Sequence, residues 1–440
     1  MARGAAPVAA WVLTRAGLLL LVLKVVTLPG PDVTTDVEFI YRGWYEVLRT
    51  GTFPVDDVSW QYPPGAALAV LSPALLPFLG YAPAFFALVC AADAVVLALL
   101  LRAGGGGTGA GAGAGRSRAG AWFWVAGVPL LGPTAYARYD LMVTAVAVAA
   151  LLAAARRPAV AGALAGFGTM LKVWPVLLLL GAARGRTTRL TWGAAAGTAA
   201  AVALAAAAAL PGAFGFLTAQ RDRGTEVESL GALVFHVGRH LGWDGTVQLH
   251  YGSMEFLGPG VGLVSDLALG LSAAAMGWLV LWRLRAREFT ATTACEAAFA
   301  GTLLFTTTSR VISPQYLIWL VGLAAVCLTL RAARMALPAG LVLAATGVTL
   351  AEFPVWFGEV VGSTGTGIAL LALRNGLLVA ATVVACVRLW RSTVPAPRRR
   401  ARARGGSRGG GRGGGVPGPR ERGAPAAPGS ASASDELLTW

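Results

Sequence analysis

Long apolar stretches follow one another from Trp11 to Arg388 and leave little room for a soluble domain. The chain of 440 residues is 56% hydrophobic and 13% charged, and its mean hydropathy is +0.65. An ordinary soluble domain contains about 25% charged residues. Because a membrane-spanning helix needs about 20 apolar residues, the pattern predicts an all-α, polytopic integral membrane protein.

The positions of the arginines predict which loops face the cytoplasm, since cytoplasmic loops carry an excess of Lys and Arg. With the N-terminus inside, a first span over 8–28 delivers a long, amphipathic first loop (29–81) to the outer face. The stretch 65–80 is shorter than a span and contains two prolines. We expect it to lie in the membrane interface, which keeps the arginines that follow it inside.

The apolar stretch 158–183 is expected to form a short hairpin near Lys172 rather than a crossing, because a crossing would separate the arginine clusters that flank it. Arms of about 12 residues reach roughly 18 Å, enough to enter the outer half of the membrane. Such half-length helices occur where the backbone lines a cavity. The remaining crossings are predicted at 82–101, 119–137, 140–155, 190–210, 260–282, 293–309, 314–330, 335–353 and 367–387, giving about 12 membrane helices.

Three segments interrupt or follow this membrane domain (1–388): a Gly-rich cytoplasmic linker (103–118), an outer loop (211–258) and a basic tail (389–440). The net charge is +15, and much of it lies in the tail among Gly, Pro, Ala and Ser. This composition predicts a disordered cytoplasmic tail that contacts anionic lipid headgroups. Nucleic acid is the other partner for such a tail, but on a membrane protein the positive-inside rule favours a role in topology.

The predicted topology collects ionisable residues at the outer face. They are Asp32, Asp36, Glu38, Arg138, Asp140, Lys172, Arg223, Glu226, Glu228 and Arg310. Ionisable residues at membrane depth are costly and indicate function by default. Cations bind phosphate oxygens and a carboxylate accepts protons, so the set predicts a site for a lipid phosphate. Alternatively, Lys172 and Arg310 could each snorkel to headgroups, and Arg138 could pair with Asp140.

Several short motifs occur in a fixed order along the chain. The first loop contains Thr35-Asp36-Val37-Glu38-Phe39-Ile40-Tyr41 and, later, Gln61-Tyr62-Pro63-Pro64-Gly65. Arg138-Tyr139-Asp140, Lys172-Val173-Trp174-Pro175 and Ser313-Pro314-Gln315-Tyr316 follow. Together, over roughly residues 8–330, these motifs resemble glycosyltransferase family 87, whose GT-C members are polyprenyl-phosphate-mannose-dependent mannosyltransferases.

The resemblance implies a plasma-membrane GT-C glycosyltransferase with both termini cytoplasmic and an extracytoplasmic active site. It would transfer a sugar, with mannose expected, from a polyprenyl-phosphate donor to a glycan or glycolipid hydroxyl with inversion. Asp36 would be the general base, with Asp32 as the competing residue. The phosphate leaves as a stable anion, so no general acid is required. No metal or other cofactor is expected. The expected substrate-binding residues are Tyr41, Arg138, Asp140, Lys172, Glu228, Arg310 and Gln315.

Two alternatives concern the outer loop and the function as a whole. Glu226 and Glu228 could belong to a solvated loop face, and His236 with His240 could hold a metal, although no HExxH-type pattern accompanies them. A transporter or lipid flippase would also need intramembrane charges and broken helices. However, neither the loop of Asp36 nor the predicted hairpin is repeated in the second half of the chain.

Overall fold

The computed structural model describes residues 2–55, 57, 59–105, 115–219 and 224–395. The helices are α1 (Ala2–Val22), α2 (Arg42–Arg49), α3 (Ala66–Leu71), α4 (Tyr81–Gly105), α5 (Ala119–Gly127), α6 (Asp140–Ala153), α7 (Pro158–Leu171), α8 (Arg186–Ala209), α9 (Phe216–Ala219), α10 (Ala232–Arg239), α11 (Val261–Arg285), α12 (Thr293–Thr308), α13 (Tyr316–Thr329), α14 (Ala336–Leu350), α15 (Phe357–Val361) and α16 (Gly365–Thr393). Tighter 3-10 segments cover Ser72–Leu75, Pro129–Ala135 and Trp174–Gly181, and wider π turns cover Asp36–Tyr41 and Ala351–Val355. The strands are β1 (Thr225–Glu226), β2 (Thr246–His250) and β3 (Ser253–Leu257).

The apolar stretches of the sequence are helical, as predicted. Among the described residues, six helical segments are long and apolar enough to cross a membrane alone: α1, α4, α8, α11, α16, and α14 with the π turn that follows it. The shorter apolar helices include α6, α7 and α13, and α13 is almost wholly buried inside the bundle. A polytopic helical membrane protein is therefore confirmed, whereas the number of about 12 membrane helices stays a prediction.

A buried ion pair fixes the first helix in the bundle. Arg15 lies within α1, and its Nε donates to Oδ2 of Asp93 in α4 at 2.8 Å, with both side chains at most 1% exposed. Asp93 also accepts hydrogen bonds from Trp11, Trp124 and Tyr136. A charged pair at this depth persists because its polar atoms are saturated with partners. The sequence analysis did not predict this ion pair. The first helix also ends earlier than the predicted span 8–28, at Val22.

The predicted hairpin is present. A Cβ added to Gly162 would overlap the backbone of Thr191, and one added to Gly166 would overlap that of Ala195. This register shows that α7 and α8 run parallel in close contact, a packing that small residues permit. Two consecutive parallel helices require the chain to return between them, and the segment Trp174–Gly181 provides that return.

The helical part of the stretch 65–80 is too short to span a membrane alone, and its interfacial position stays a prediction. Its helical part covers only Ala66–Leu75, and Gly65 abuts the backbone of Met170 near the end of α7. Ala66 and Ala67 are buried. Leu75 is 74% exposed, and an apolar segment with one buried face and one open face is typical of the membrane interface.

The outer loop (211–258) contains a small antiparallel sheet that the all-α prediction did not include, with strand order β1-β3-β2. Tyr251 and Gly252 connect β2 to β3, and both have positive φ, as a two-residue hairpin turn requires. Phe256 of β3 packs against Phe235 of α10 and against Trp243. These short strands carry too weak a periodic signal to stand out in an apolar sequence.

The arginine-rich loops meet one another at one end of the bundle. Arg184 donates to the carbonyls of Arg283 and Leu284, and Arg388 donates to the carbonyl of Arg334. Helix α16 continues past the predicted domain end at 388 to Thr393. Residues 106–114 of the predicted Gly-rich linker (103–118) lie outside the described residues, and so do residues 396–440 of the basic tail (389–440).

Candidate active site

Asp36 and Arg138 form an ion pair between the first loop and the turn that precedes α6. Nη2 of Arg138 lies 2.8 Å from Oδ2 of Asp36. Nη1 of Arg138 donates to the carbonyls of Val33 and Ala137. The arginine side chain is 11% exposed and the aspartate 35%. A largely buried cation therefore holds a carboxylate that still reaches the surface.

Lys172, after the end of α7, is enclosed by aromatic rings. Its Nζ lies 2.7 Å from Oδ1 of Asp140, the first residue of α6. The ring centroids nearest to Nζ are those of Tyr62, Tyr139 and Trp319 at 5.1 Å and of Tyr316 at 5.8 Å. Aromatic faces attract cations, so the rings and Asp140 together compensate a lysine that is only 9% exposed.

The two ion pairs are neighbours because Arg138 and Asp140 flank Tyr139 in the chain. The ring of Tyr139 covers Lys172 on one side and lies 6.0 Å from the ring of Tyr41 on another. The structure therefore brings Asp36, Arg138, Asp140 and Lys172 together. It pairs Arg138 with Asp36 rather than with Asp140, which was the alternative.

A buried aromatic cluster supports the first loop. Trp44 of α2 contacts Tyr41, Trp60 and Tyr62, with ring centroids 4.8–6.0 Å apart. Tyr41 itself is 2% exposed. Nε1 of Trp44 donates to Asp57 at 2.6 Å. Burial raises the pKa of Asp57, but hydrogen bonds from Ser59 and Trp44 outweigh it and leave the pKa below its ordinary value.

Asp32, the competing carboxylate, faces a different partner. Its side chain is 45% exposed and lies 2.8 Å from Nζ of Lys24, which also contacts Glu38. Its Oδ1 accepts from the backbone and hydroxyl of Thr34. Burial raises the pKa of Asp32, yet the bonds from Lys24 and Thr34 lower it below the ordinary value. Asp32 thus caps an exposed turn and pairs with Lys24, whereas Arg138 pairs with Asp36.

The segment that precedes α13 connects the aromatic rings around Lys172 to a second charged group, which includes Glu226 and Arg310. Glu226, in β1, accepts from the backbone NH of Ile312 at 2.7 Å and from the hydroxyl of Ser313 at 3.0 Å. Glu226 is 3% exposed, so the prediction of a solvated face for this residue is wrong. Arg310 accepts at its carbonyl from the NH of Glu226, and its Nη1 donates to Ser265 of α11 at 3.2 Å.

Gln315 lies beside the aromatic rings around Lys172, whereas Glu228 is buried near Arg374. Gln315 is half-buried and directly precedes Tyr316, whose ring contacts Lys172. Glu228 is 4% exposed, and its carbonyl accepts from Arg374 at 3.0 Å. Burial, with Glu352 and Glu226 nearby, raises the pKa of Glu228 well above its ordinary 4.5. Arg223, also predicted near the site, lies outside the described residues.

The model of glycosyltransferase family 87 matches residues 60–314, more than half of the chain. The chain belongs to glycosyltransferase family 87. Searches of curated proteins and of solved structures gave no match. The protein is therefore a membrane glycosyltransferase, and the match spans Arg138, Asp140 and Lys172, with Asp36 just before it.

The glycosyltransferase contains a buried cluster that sequence reasoning missed. Nε and Nη2 of Arg374 in α16 donate to the two carboxylate oxygens of Glu352 at 2.8 and 2.7 Å. Nη1 of Arg374 donates to the carbonyl of Ile312, and both charged side chains are 0% exposed. Arg374 and Glu352 each interrupt an apolar stretch. Lys172 was noticed because it is an ionisable residue inside an apolar stretch. The same sequence signal marks Arg374 and Glu352.

The histidines of the glycosyltransferase serve the packing of its outer loop. Nε2 of His236 lies 2.8 Å from the carbonyl of Val227, so it carries the proton, and Nδ1 accepts from the hydroxyl of Ser363 at 2.8 Å. Nε2 of His240 lies 2.6 Å from the carbonyl of Ser363. Both rings thus attach α10 to the turn before α16. Burial lowers the pKa of His236 below its ordinary 6.5.

Proposed function

We propose that this glycosyltransferase transfers a sugar, with mannose as the first candidate, from a polyprenyl-phosphate donor to a hydroxyl of a glycan or glycolipid. The reaction takes place on the outer face of the plasma membrane, and both termini lie in the cytoplasm. The ion pair of Asp36 and Arg138 carries the proposal, because it places a surface carboxylate among cations buried in an apolar bundle. A lipid-linked anion fits such a site, since its tail occupies the membrane while its phosphate meets the cations.

Asp36 is proposed as the general base of an inverting transfer. The acceptor oxygen attacks the anomeric carbon opposite the phosphate, the carbon–oxygen bond to the phosphate breaks, and the carboxylate takes the hydroxyl proton. Arg138 acts as a positioning residue: it binds Oδ2 of Asp36 and leaves Oδ1 without a hydrogen bond from a described residue. The contacts of Asp32 with Lys24 and Thr34 favour a capping role for that carboxylate instead.

The leaving phosphomonoester takes the electrons of the broken bond and is stable as an anion, so no proton donor is needed. Arg310 is proposed to bind this phosphate, together with the outer edge of Arg138, since fixed cations stabilise charge that develops in the transition state. Lys172 was expected to share this role. Its bond to Asp140 and its aromatic cage favour a positioning role, in which it orients Tyr62 and Tyr316.

The sugar is proposed to contact Tyr62, Tyr316 and Gln315, the partly exposed members of the site. Tyrosine rings offer an apolar face with a hydrogen-bonding edge, and the amide of Gln315 offers both a donor and an acceptor to sugar hydroxyls. Tyr41 and Glu228 are buried, so we assign them to the support of the Asp36 turn and of the Ile312 segment. Asp140 is assigned a positioning role, because its carboxylate binds Lys172.

The test compares Asp36→Asn with Asp32→Asn in membranes supplied with radiolabelled polyprenyl-phosphate-mannose. Loss of a general base lowers transfer about 10²- to 10⁴-fold, so Asp36→Asn should lose nearly all activity while its level in the membrane is unchanged. The matched variant Asp32→Asn removes the same charge from the same loop and should stay within a few-fold of wild type.

Three results would contradict parts of the proposal. Full activity of Asp36→Asn, or loss of activity in Asp32→Asn alone, would remove Asp36 as the base. A product that keeps the anomeric configuration of the donor would exclude inversion. Transfer from other polyprenyl-phosphate sugars, with none from the mannose donor, would replace the proposed sugar and leave the base assignment intact.

A further inference from the structure

A separate pocket opens on the other face of α2, between this helix and the start of α4. Its volume is about 480 Å³, and its walls include Arg42, Tyr45, Glu46 and Arg49 on one side and Tyr81 on the other. The four α2 residues are spaced at helical repeats and so share one face. The opposite face of α2 buries Trp44 and Leu48, so the pocket is distinct from the aromatic cluster of the candidate active site.

The pocket presents an excess of positive charge. Nη1 of Arg49 lies 3.5 Å from Oε2 of Glu46, and its guanidinium lies 5.2 Å from the ring centroid of Tyr45. These contacts orient Arg49. The guanidinium of Arg42 has no ion-pair partner among the described residues, and its side chain is exposed. The pocket lining thus contains two guanidinium groups and one carboxylate. A guanidinium group can bind phosphate oxygens in a bidentate manner.

The rim of the pocket is apolar and open. Leu79, which lines the pocket, is 40% exposed, and Leu75 and Phe78, beside the lining residues in the chain, are 74% and 79% exposed. A contiguous group of exposed apolar side chains beside a membrane-spanning helix indicates contact with lipid. The rings of Tyr45 and Tyr81 lie 4.9 Å apart at this level, and tyrosines are enriched where headgroups meet the hydrocarbon. The arginines therefore lie at headgroup depth.

We propose that this pocket binds the phosphate headgroup of an anionic membrane phospholipid. Arg42 and Arg49 contact the phosphate, Tyr45 and Tyr81 form the wall at the glycerol level, and the acyl chains follow Leu75 and Phe78 into the membrane. The bound lipid fixes α2 from outside, on the face opposite Trp44. This site is independent of the proposed transfer reaction and of its donor.

The test uses the full-length protein in phosphatidylcholine nanodiscs with and without phosphatidylglycerol. The association constant for phosphatidylglycerol, measured by native mass spectrometry, should fall about five-fold for Arg42→Gln and for Arg49→Gln, as expected for loss of one cation near an anionic surface. Arg239→Gln is the matched control, because it removes an exposed arginine whose Nη1 bonds to Val361 and Ser363 instead. The lysine variants of Arg42 and Arg49 keep the charge but lose the bidentate contact, so their association constants should fall between those of wild type and of the glutamine variants.

The remaining outcomes would overturn the proposal. A double variant, with both Arg42→Gln and Arg49→Gln, should lose phosphatidylglycerol. If it retains as much of this lipid as Arg239→Gln does, the pocket does not bind phosphatidylglycerol. Displacement of the lipid by inorganic phosphate at millimolar concentration would assign the pocket to free phosphate. Parallel loss of polyprenyl-phosphate donor binding in the Arg42 and Arg49 variants would assign it to the donor. Thermal unfolding of each variant excludes misfolding as the cause.

Discussion

Lys172 and Asp140 form a buried ion pair, with Nζ 2.7 Å from Oδ1, inside the region matched by glycosyltransferase family 87. The same Oδ1 accepts from Nε1 of Trp319 at 2.7 Å. The carboxylate therefore joins the end of α7, the start of α6 and the first turn of α13. Because all three elements meet at this oxygen, the pair determines how the walls of the site are spaced.

Lys172→Met is expected to destabilise the protein strongly. It leaves the carboxylate of Asp140 buried without its cation, a change that costs about 3–5 kcal/mol. Adding Asp140→Asn removes that charge and should restore part of the loss. The melting temperature in detergent measures both effects. Lys24→Met is the control, since the pairs of Lys24 are exposed and each contributes at most about 1 kcal/mol. Equal melting temperatures for the two lysine variants would refute the buried pair.

The attachment of α10 to Ser363 is expected to weaken in acid. Burial holds the pKa of His236 below its unfolded value of 6.5, so the unfolded state binds the proton more tightly. The stabilisation is therefore complete above about pH 6.5 and is lost as the pH falls through the lowered pKa. Protonation of Nδ1 also removes the acceptor for the Ser363 hydroxyl. Hydrogen exchange in α10, corrected for intrinsic rates, should accelerate over this range.

Two variants distinguish this titration from general acid effects. His236→Gln should have weaker protection at neutral pH and a flatter pH dependence. His250→Gln removes a histidine whose side chain is 42% exposed and should leave the pH profile of α10 unchanged. A profile that persists in His236→Gln would show that another group is responsible.

Gly166→Leu is expected to disrupt the packing of α7 on α8. A Cβ at this position already overlaps the backbone of Ala195, so a leucine forces the two helices apart. Gly197→Leu is the control on the same helix pair, because nothing lies within 4 Å of a Cβ there. Size-exclusion profiles in detergent should show a monodisperse peak for Gly197→Leu and aggregation for Gly166→Leu. Identical profiles would contradict the close parallel contact.

The proposed orientation of the bundle predicts which residues an impermeant thiol reagent reaches in intact cells. Thr52 lies in the first loop and Glu288 follows α11; both are exposed. In a background with the four native cysteines replaced by alanine, Thr52→Cys should be labelled from outside. Glu288→Cys should be labelled only after the membrane is permeabilised. The reverse pattern would place the proposed active site in the cytoplasm.

Sequence patterns located several elements of the site without locating their partners. The interrupted apolar run identified the hairpin and Lys172, because a charge in an apolar segment is visible in one dimension. The ion pair of Asp36 and Arg138 joins residues 102 positions apart (138 − 36), and no local pattern specifies such a contact. Glu226 was predicted to be solvated because its loop is polar, yet the backbone of Ile312 covers it.

Arg15 and Arg374 show where a purely linear interpretation fails. Arg15 lies inside the predicted span 8–28, where its sequence neighbours indicate no partner, but within α1 it binds Asp93 and the carbonyls of Trp124 and Val125. Arg374 was passed over inside a predicted crossing, and it holds Glu352 and the carbonyl of Ile312. Whether a cation inside a span is tolerated depends on its partners, and those come from other helices.

The sequence alone determined the helical membrane class, the short hairpin and the family, because hydropathy, proline position and motif order are properties of adjacent residues. Tertiary structure decided which carboxylate meets which cation: Asp36 with Arg138, Asp140 with Lys172, and Asp32 with the exposed Lys24. The physical reason is that a charge buried in an apolar bundle is stable only beside its counter-charge, and helix packing supplies that neighbour.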